Sequence, residues 1–256
     1  GGLIHLENYS LPSGTYTVTV GNGGLGFDSA QNKAPNGFNT VITGEGRTII
    51  ALGGGGSLAT DGTSGTNPSD GGSGGGGWYT SGTKFFGLAT QPSTTSDGIS
   101  TYAGTGYGNN GGSGHTDYPY AGGGGGAGAV GENAVDYRHS SPLSAPDGGD
   151  GLDLSSVFGT YGDTNYPGWF AGGGSADGYE ASFNTAAGTP GKGGGGVGNN
   201  DPNANTGVAG QKHTGGGGGS STSGGSGVVL ISSVPNLTLT DAAPSLTYDG
   251  YNRLAV

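Results

Sequence analysis

Ala121-Gly-Gly-Gly-Gly-Gly-Ala127 is a run of five glycines closed at each end by alanine. Glycine gives up more backbone freedom on folding than any other residue, so such a run is a liability in an ordinary helix or strand. Polyproline II geometry offers another outcome. It has three residues per turn and about 3.1 Å of rise per residue, with no hydrogen bonds inside the helix. The donors and acceptors therefore point outward and must find partners. Where every side chain is a hydrogen, several such helices approach closely enough to bond one another, and 122–126 would form a rod about 15 Å long. Comparable runs occupy 53–56, 74–77, 172–174, 193–196 and 215–219, with shorter pieces at 21–26, 111–114, 148–151 and 224–227. The starts of the main runs fall about 21 or about 50 residues apart, the mark of an array whose unit is a glycine rod followed by a loop of variable length. A side chain inside a rod is expected to block bonding between rods, so Gly124→Val is expected to misfold.

Composition places the same demand on the rest of the chain. The 256 residues include 66 Gly and 12 Pro, a level that by itself points to low complexity. Against that stand 2 Trp, 13 Tyr and 7 Phe, large rings that need somewhere to pack or something to bind. The hydrophobic share is 30 %, well below the roughly 45–50 % of a typical domain, so backbone hydrogen bonds must carry much of the stability. Cysteine is absent, which excludes disulfide staples and thiolate metal sites. Net charge is −11, and the seven bases are scattered with no two adjacent. Clustered positive charge for phosphate recognition is lacking, so no nucleic-acid partner is expected. No apolar run approaches the roughly 18–20 residues that cross a bilayer, so no membrane insertion is expected. A chain that opens on Gly1 is expected to be a processed or partial polypeptide.

Three textures divide the chain. Residues 1–51 form a β-rich opening segment, with Tyr16-Thr-Val-Thr-Val20 after the turn pair Ser13-Gly14. Phe38-Asn-Thr-Val-Ile42 and Thr48-Ile-Ile-Ala51 flank Gly44-Glu-Gly46 as a tight hairpin. Residues 52–227 are the glycine-rich bundle. Residues 228–256 form a β-rich C-terminal extension around Val228-Val-Leu-Ile231, Asn236-Leu-Thr-Leu-Thr240 and Ser245-Leu-Thr-Tyr248. No apolar stripe of helical period occurs. The expected fold is mostly irregular and β: a bundle of polyglycine II helices linked by long loops, with short β-strands at the N- and C-terminal ends and almost no α-helix.

If the rods are scaffold, function sits in the loops. The aromatic ones carry Trp78, Tyr79, Phe85, Phe86, Tyr102, Tyr107, Tyr118, Tyr120, Tyr161, Tyr166, Trp169 and Phe170. Tyr and Trp supply large contact area with few rotors and a polar handle, which suits a receptor-binding surface; the alternative is that the rings cover the ends of the bundle. Catalytic signals are without weight. Gly71-Gly-Ser-Gly-Gly75 and Gly106-Tyr-Gly-Asn-Asn-Gly111 fit hydrolase and dinucleotide patterns, but three-glycine patterns arise by chance here, and neither match lies between a strand and a helix. Gly148-Gly-Asp-Gly-Leu-Asp153 approaches a calcium-binding repeat that needs successive copies, so Asp147, Asp150 and Asp153 read as turn residues. His5, His115, His139 and His213 show no metal-ligand spacing. The chain is expected not to be an enzyme and to need no metal or cofactor.

Tyr16-Thr-Val-Thr-Val-Gly-Asn-Gly-Gly24, Phe38-Asn-Thr-Val-Ile42 leading into Ala51-Leu-Gly-Gly-Gly-Gly56, and the closing Gly224-Gly-Ser-Gly-Val-Val-Leu-Ile231 carry a resemblance. Over residues 9–231 the chain resembles the glycine-rich domains of phage tail-fibre proteins, those of marine phages above all. More loosely it resembles the tail-fibre adhesins of T4-like phages, a sandwich of polyglycine II helices with receptor-specifying loops at its distal end. The resemblance implies a virion-surface adhesin whose partners are a bacterial surface glycan or outer-membrane protein and the rest of a fibre, with homo-oligomers allowed. The alternative is a secreted or cell-surface appendage: a structural fibre, spacer or matrix subunit without receptor binding. The loops are longer than in the compact adhesins, and the residues after Ile231 have no counterpart.

Overall fold

The computed structural model describes residues 1–27, 33–58, 68–79, 85–99, 104–116, 120–135, 144–178, 186–200 and 206–233, together with strands at 237–240, 245–248 and 252–255. Its strands are β1 (Leu3–Leu6), β2 (Gly14–Thr19), β3 (Thr40–Gly44), β4 (Arg47–Ala51), β5 (Thr94–Thr95), β6 (Gly104–Tyr107), β7 (Leu152–Asp153), β8 (Trp169–Phe170), β9 (Leu230–Ser233), β10 (Leu237–Thr240), β11 (Ser245–Tyr248) and β12 (Asn252–Ala255). The only helix among the described residues is the single turn α1 (Ser155–Phe158). The chain is thus mostly irregular and β, with almost no α-helix.

Two five-stranded sheets gather at one end of the molecule, in the orders β5-β6-β1-β12-β9 and β10-β11-β2-β3-β4. The expected hairpin is β3–β4, closed by Glu45 and Gly46 at φ 48° and 71°. Two consecutive left-handed residues match the right-handed strand twist, and the second is the glycine that such a turn favours. The C-terminal strands do not stand apart: β11 pairs antiparallel with β2, and β12 with β1. Between the sheets, Ile4 and Leu6 of β1 meet Tyr16 of β2, Ile42 of β3 and Ile49 of β4, all nearly inaccessible. Leu3, on the other face of β1, joins Leu154, Phe158, Phe170 and Ala171 in a second cluster. The period-two alternation of Val228-Val-Leu-Ile231 serves both: Val228 and Leu230 lie against the second cluster, Val229 and Ile231 against the first.

A buried polar group fixes the edge of the sandwich. Asp97, fully buried, accepts from the Tyr9 hydroxyl and the Arg47 guanidinium, and its backbone carbonyl accepts from Thr48 N–H at 2.8 Å. Charges this deep are retained when paired and hydrogen-bonded.

The glycine runs form the rods expected of them, as a period of three in their hydrogen bonds shows. Gly122 and Gly125 donate to Gly77 and Gly74; Gly124 and Ala127 donate to Gly174 and Ala171. Gly74 and Gly77 donate to Asn109 and Gly112, Gly172 and Ser175 to Gly193 and Gly196, and Gly224 and Gly227 to Gly24 and Gly21. Donors three apart reaching acceptors three apart on one neighbour define a threefold helix. No glycine of 71–77, 122–126 or 172–174 has positive φ, as a uniform left-handed polyglycine II rod requires, whereas Gly193, Gly194 and Gly215 do, at the turns that open their runs.

Eight segments close into a ring. Segment 53–57 receives Gly37 of 34–38, which bonds through Phe38 to Asn22 of 21–26; Gly224 links that segment to 224–227, and Gly225 links on to Gly216 of 215–219. Gly217 reaches Gly172, Gly124 reaches Gly174, Gly122 reaches Gly77, and Gly72 returns to Gly53. The packing admits no side chain at most ring positions: a Cβ on Gly123 would lie 1.9 Å from Asp147 O, and one on Gly174 1.8 Å from Gly218 O. Gly124 corrects the expectation placed on it. A Cβ there meets nothing closer than 3.5 Å, because this glycine faces the inside of the ring and not a neighbouring rod.

Candidate functional site

The rods run between two unlike ends. At one lie the sheets and both clusters just described. At the other lie described rod ends that bound seven stretches of chain, at 27 and 33, 58 and 68, 79 and 85, 116 and 120, 135 and 144, 178 and 186, and 200 and 206. Contacts bring several of these bounding residues together. Lys33 bridges Leu58, Ser144 bridges Ala186, Gly178 N–H reaches Asn199 O at 2.9 Å, and His115 N–H reaches Tyr120 O at 3.0 Å. Gly77 lies against Phe85 O, Gly114 against Trp78 O, and Gly26 against Ser221 O.

The candidate aromatic residues divide between these ends. Trp78, Tyr79, Phe85 and Phe86 stand half-buried where rods give way to loops at the connecting end. Tyr120 stands there too, but it is 3 % exposed, packed among Ala134, Ala145 and Ala176 with an edge-on contact to His115. Its ring plugs the rod ends and offers no face to a receptor. Tyr118 and Tyr102 lie outside the described residues. Tyr107, on β6, packs against the second cluster at the sheet end, and Phe170, 3 % exposed, belongs to that cluster outright. In a chain this poor in apolar residues, rings are drawn toward what core there is.

Tyr166 and Trp169 come together over Lys192 at the sheet end, and Tyr161 is tied to their loop through its backbone carbonyl, which accepts from Gly168 N–H at 2.6 Å. Tyr161 and Tyr166 are exposed and Trp169 half-buried. Lys192 Nζ sits 5.6 Å from the Tyr166 ring centroid and 4.8 Å from that of Trp169, with Asp150 Oδ2 at 3.4 Å. The loop is held from beneath by Asp163, which is buried. Its carboxylate accepts from Gly193 N–H and Gly194 N–H, both at 2.9 Å, from Asn165 N–H at 2.8 Å and from Gln211 Nε2 at 3.0 Å. Burial alone would raise this carboxyl; the donors from Asn165, Gly194, Gly193 and Gln211 outweigh it and hold it below the ordinary aspartate range. Asp177, at the connecting end, is the opposite case. Burial pushes it above that range against the Asn199 N–H and the Ser220 side chain.

The polar residues beside the glycine runs have a role that their turn chemistry alone does not announce. Asp147 Oδ1 accepts from Thr189 N–H and Asp150 Oδ1 from Lys192 N–H, each bonding one rod end to the next. Asn109 Nδ2 donates to Gly126 O and Ala127 O, and Asn133 Oδ1 accepts from Ser113 N–H. Asp153 alone makes a local turn, to Ser155 N–H. The legible signal was position: Asn and Asp recur at the margins of the glycine runs. Ser73, the serine of the hydrolase-like pattern, is buried with its hydroxyl on Gly1 O at 2.9 Å.

The sequence model of a family described as "Glycine-rich domain" covers residues 1–233, and the chain belongs to that family. The match ends at the last residue of β9, two residues beyond the Ile231 at which the tail-fibre resemblance stops. No curated protein and no solved structure matches the chain.

Proposed function

For this member of the glycine-rich domain family, we propose an adhesin module of a phage tail fibre or similar appendage, displayed on the virion surface and binding a bacterial surface glycan or outer-membrane protein. The observation that carries the reading is the segregation of the two ends. One end is a β-sandwich with a dry core. The other gathers the rod ends that bound seven stretches of chain, several of them bonded to one another, as Lys33 is to Leu58, Ser144 to Ala186 and Gly178 to Asn199. Loops on a rigid scaffold vary without disturbing it, which is the arrangement a recognition surface needs. Trp78, Tyr79, Phe85 and Phe86 bring the amphipathic rings that make large contact area at low entropic cost to that end. The sheet end then faces the rest of the fibre.

The test separates the ends. Binding of the purified chain to a panel of bacterial surfaces is compared with two variants checked for native circular dichroism. One is Trp78→Ala with Tyr79→Ala and Tyr118→Ala; the other is Tyr161→Ala with Tyr166→Ala and Trp169→Ala. Selective binding by the parent chain, lost in the first variant and kept in the second, is the expected result. Loss only in the second moves the receptor site to the sheet end. A folded parent chain that binds no surface refutes the adhesin and leaves a structural spacer or fibre subunit.

A further inference from the structure

Tyr166 and Trp169 stand at the first and last positions of one tight turn. Trp169 N–H donates to Tyr166 O at 3.1 Å, with Pro167 and Gly168 between them and Gly168 at φ 87°. Proline followed by a left-handed glycine marks a type II turn, which fixes the spacing of the residues on either side of it. The turn is tied down by Gly168 N–H on Tyr161 O and by the pairing of Trp169 with Asp153 between β8 and β7.

One cation stands over both rings. Lys192 Nζ lies 4.8 Å from the Trp169 centroid and 5.6 Å from that of Tyr166, with Asp150 Oδ2 at 3.4 Å. The lysine backbone is fixed from beneath: its N–H donates to Asp150 Oδ1 at 2.9 Å, and Gly151 N–H donates to its carbonyl at 2.7 Å. The side chain is open to water, 38 % exposed beside a carboxylate that is 42 % exposed. Ion pairs so exposed add little to stability, and the long stem gives up rotamer freedom to stay in place. What the arrangement supplies is the set of partners an ammonium group needs, two ring faces that attract a cation and a carboxylate that balances it.

Chemistry selects the ligand. A primary ammonium such as that of Lys192 is strongly hydrated and exchanges water for rings that accept its N–H groups poorly. A quaternary ammonium has no N–H to leave unpaired, and its methyl groups bury against the same faces. The net charge of −11, with Asp153 opposite Trp169 in the β7–β8 register, draws cations to this surface. We propose that Tyr166, Trp169 and Asp150 form a binding site for a choline-type quaternary ammonium group, and that Lys192 is the internal cation this ligand displaces. The site lies at the sheet end and is separate from the surface assigned to receptor binding.

Choline is titrated into the whole chain at constant ionic strength, and the indole N–H resonance of Trp169 is followed by NMR. The control is the neutral alcohol in which carbon replaces the quaternary nitrogen. Choline is expected to shift the resonance saturably and the control to leave it in place. Lys192→Ala, which vacates the site, should bind choline about fivefold more tightly, since no internal cation has to leave first. Tyr166→Ala should weaken binding about fivefold, and Tyr166→Phe, which keeps the ring, should bind as the parent does. Phosphatidylcholine vesicles separate the sources of the head group: co-sedimentation of the chain assigns the ligand to a lipid, and binding of free choline without it to a soluble or glycan-borne group, each upholding the site. No saturable shift in the parent chain, an equal shift with the neutral alcohol, weaker binding by Lys192→Ala, or undiminished binding by Tyr166→Ala overturns the proposal.

Discussion

The two ends of this molecule are held together by different physics. Between the sheets, Ile4, Leu6, Tyr16, Ile42 and Ile49 exclude water in the usual way, and the free energy scales with the apolar area they bury. In the rods there is almost no side-chain area to bury. What bonds 122–127 to 74–77 and to 171–174 is a lattice of backbone hydrogen bonds, each worth about 0.5–1.5 kcal/mol net. The sandwich depends on side chains being present and the lattice on their being absent. Substitution should therefore act with opposite sign in the two regions: deletions of atoms harm the first, additions harm the second.

The largest effect expected is an addition. Gly123→Ala puts a methyl 1.9 Å from Asp147 O, where backbone must move, and should abolish the cooperative thermal transition or cost more than about 4 kcal/mol. Its neighbour sharpens the contrast. Gly124→Ala meets nothing closer than 3.5 Å and has no positive φ, so it should fold and gain about 0.4–1 kcal/mol from the restricted unfolded chain. Equal behaviour of the two in a melting experiment would break the ring geometry.

Next comes a deletion at the other end. Leu6→Ala removes a fully buried side chain from the sandwich and should cost about 2–5 kcal/mol in denaturant unfolding. A cost below about 1 kcal/mol would mean that the lattice alone sets the stability of the chain.

Asp163 joins the two modes, since a side chain supplies the acceptors that a rod turn needs. Asp163→Asn should cost about 1–3 kcal/mol at neutral pH and loosen the loop carrying Tyr161 and Tyr166. The sign of the pH effect follows from a folded-state pKa lying below the unfolded value. The stabilisation is fully present above the unfolded aspartate pKa of about 3.9 and is lost as pH falls through the lower folded value. The difference in melting temperature between parent and Asp163→Asn should therefore be constant from about pH 5 upward and shrink as pH falls below the unfolded value of about 3.9.

The smallest effect is expected at Lys192. Lys192→Ala removes two partly exposed cation–π contacts and should cost about 0.5–1 kcal/mol, read most directly as a change in Trp169 fluorescence. Lys192→Arg, which keeps the cation over both rings, should leave that signal near the parent value.

Much of this architecture was legible. The rods follow from runs that admit no other ordered state, and the β3–β4 hairpin from a glycine-bearing turn between β-branched residues. Strand β2 begins within two residues of its expected start, while β1, β5 and β6 went unread, because Leu3–Leu6 and Gly104–Tyr107 lack alternation and pair only through distant partners. Among the candidate rings, sequence marked Tyr161, Tyr166 and Trp169 as one loop, and the structure adds Lys192, Asp163 and Gln211, whose contacts there span 23 to 48 positions. It also withdrew Tyr120 and Phe170 into buried clusters, a choice that depends on where apolar neighbours happen to stand.

What the sequence determined alone is the material: glycine runs without side chains must satisfy their backbone outside themselves, in a helix with three residues per turn. That is local stereochemistry, fixed by the absence of a Cβ and the lack of internal hydrogen bonds. Which rods neighbour which, whether a given glycine faces a rod or the interior, and how eight segments close around a cavity were decided only by tertiary structure. All glycines in a run are chemically alike, so nothing in Gly122 to Gly126 distinguishes Gly123, sealed against Asp147 O, from Gly124, open to the ring, until the neighbouring chains are in place.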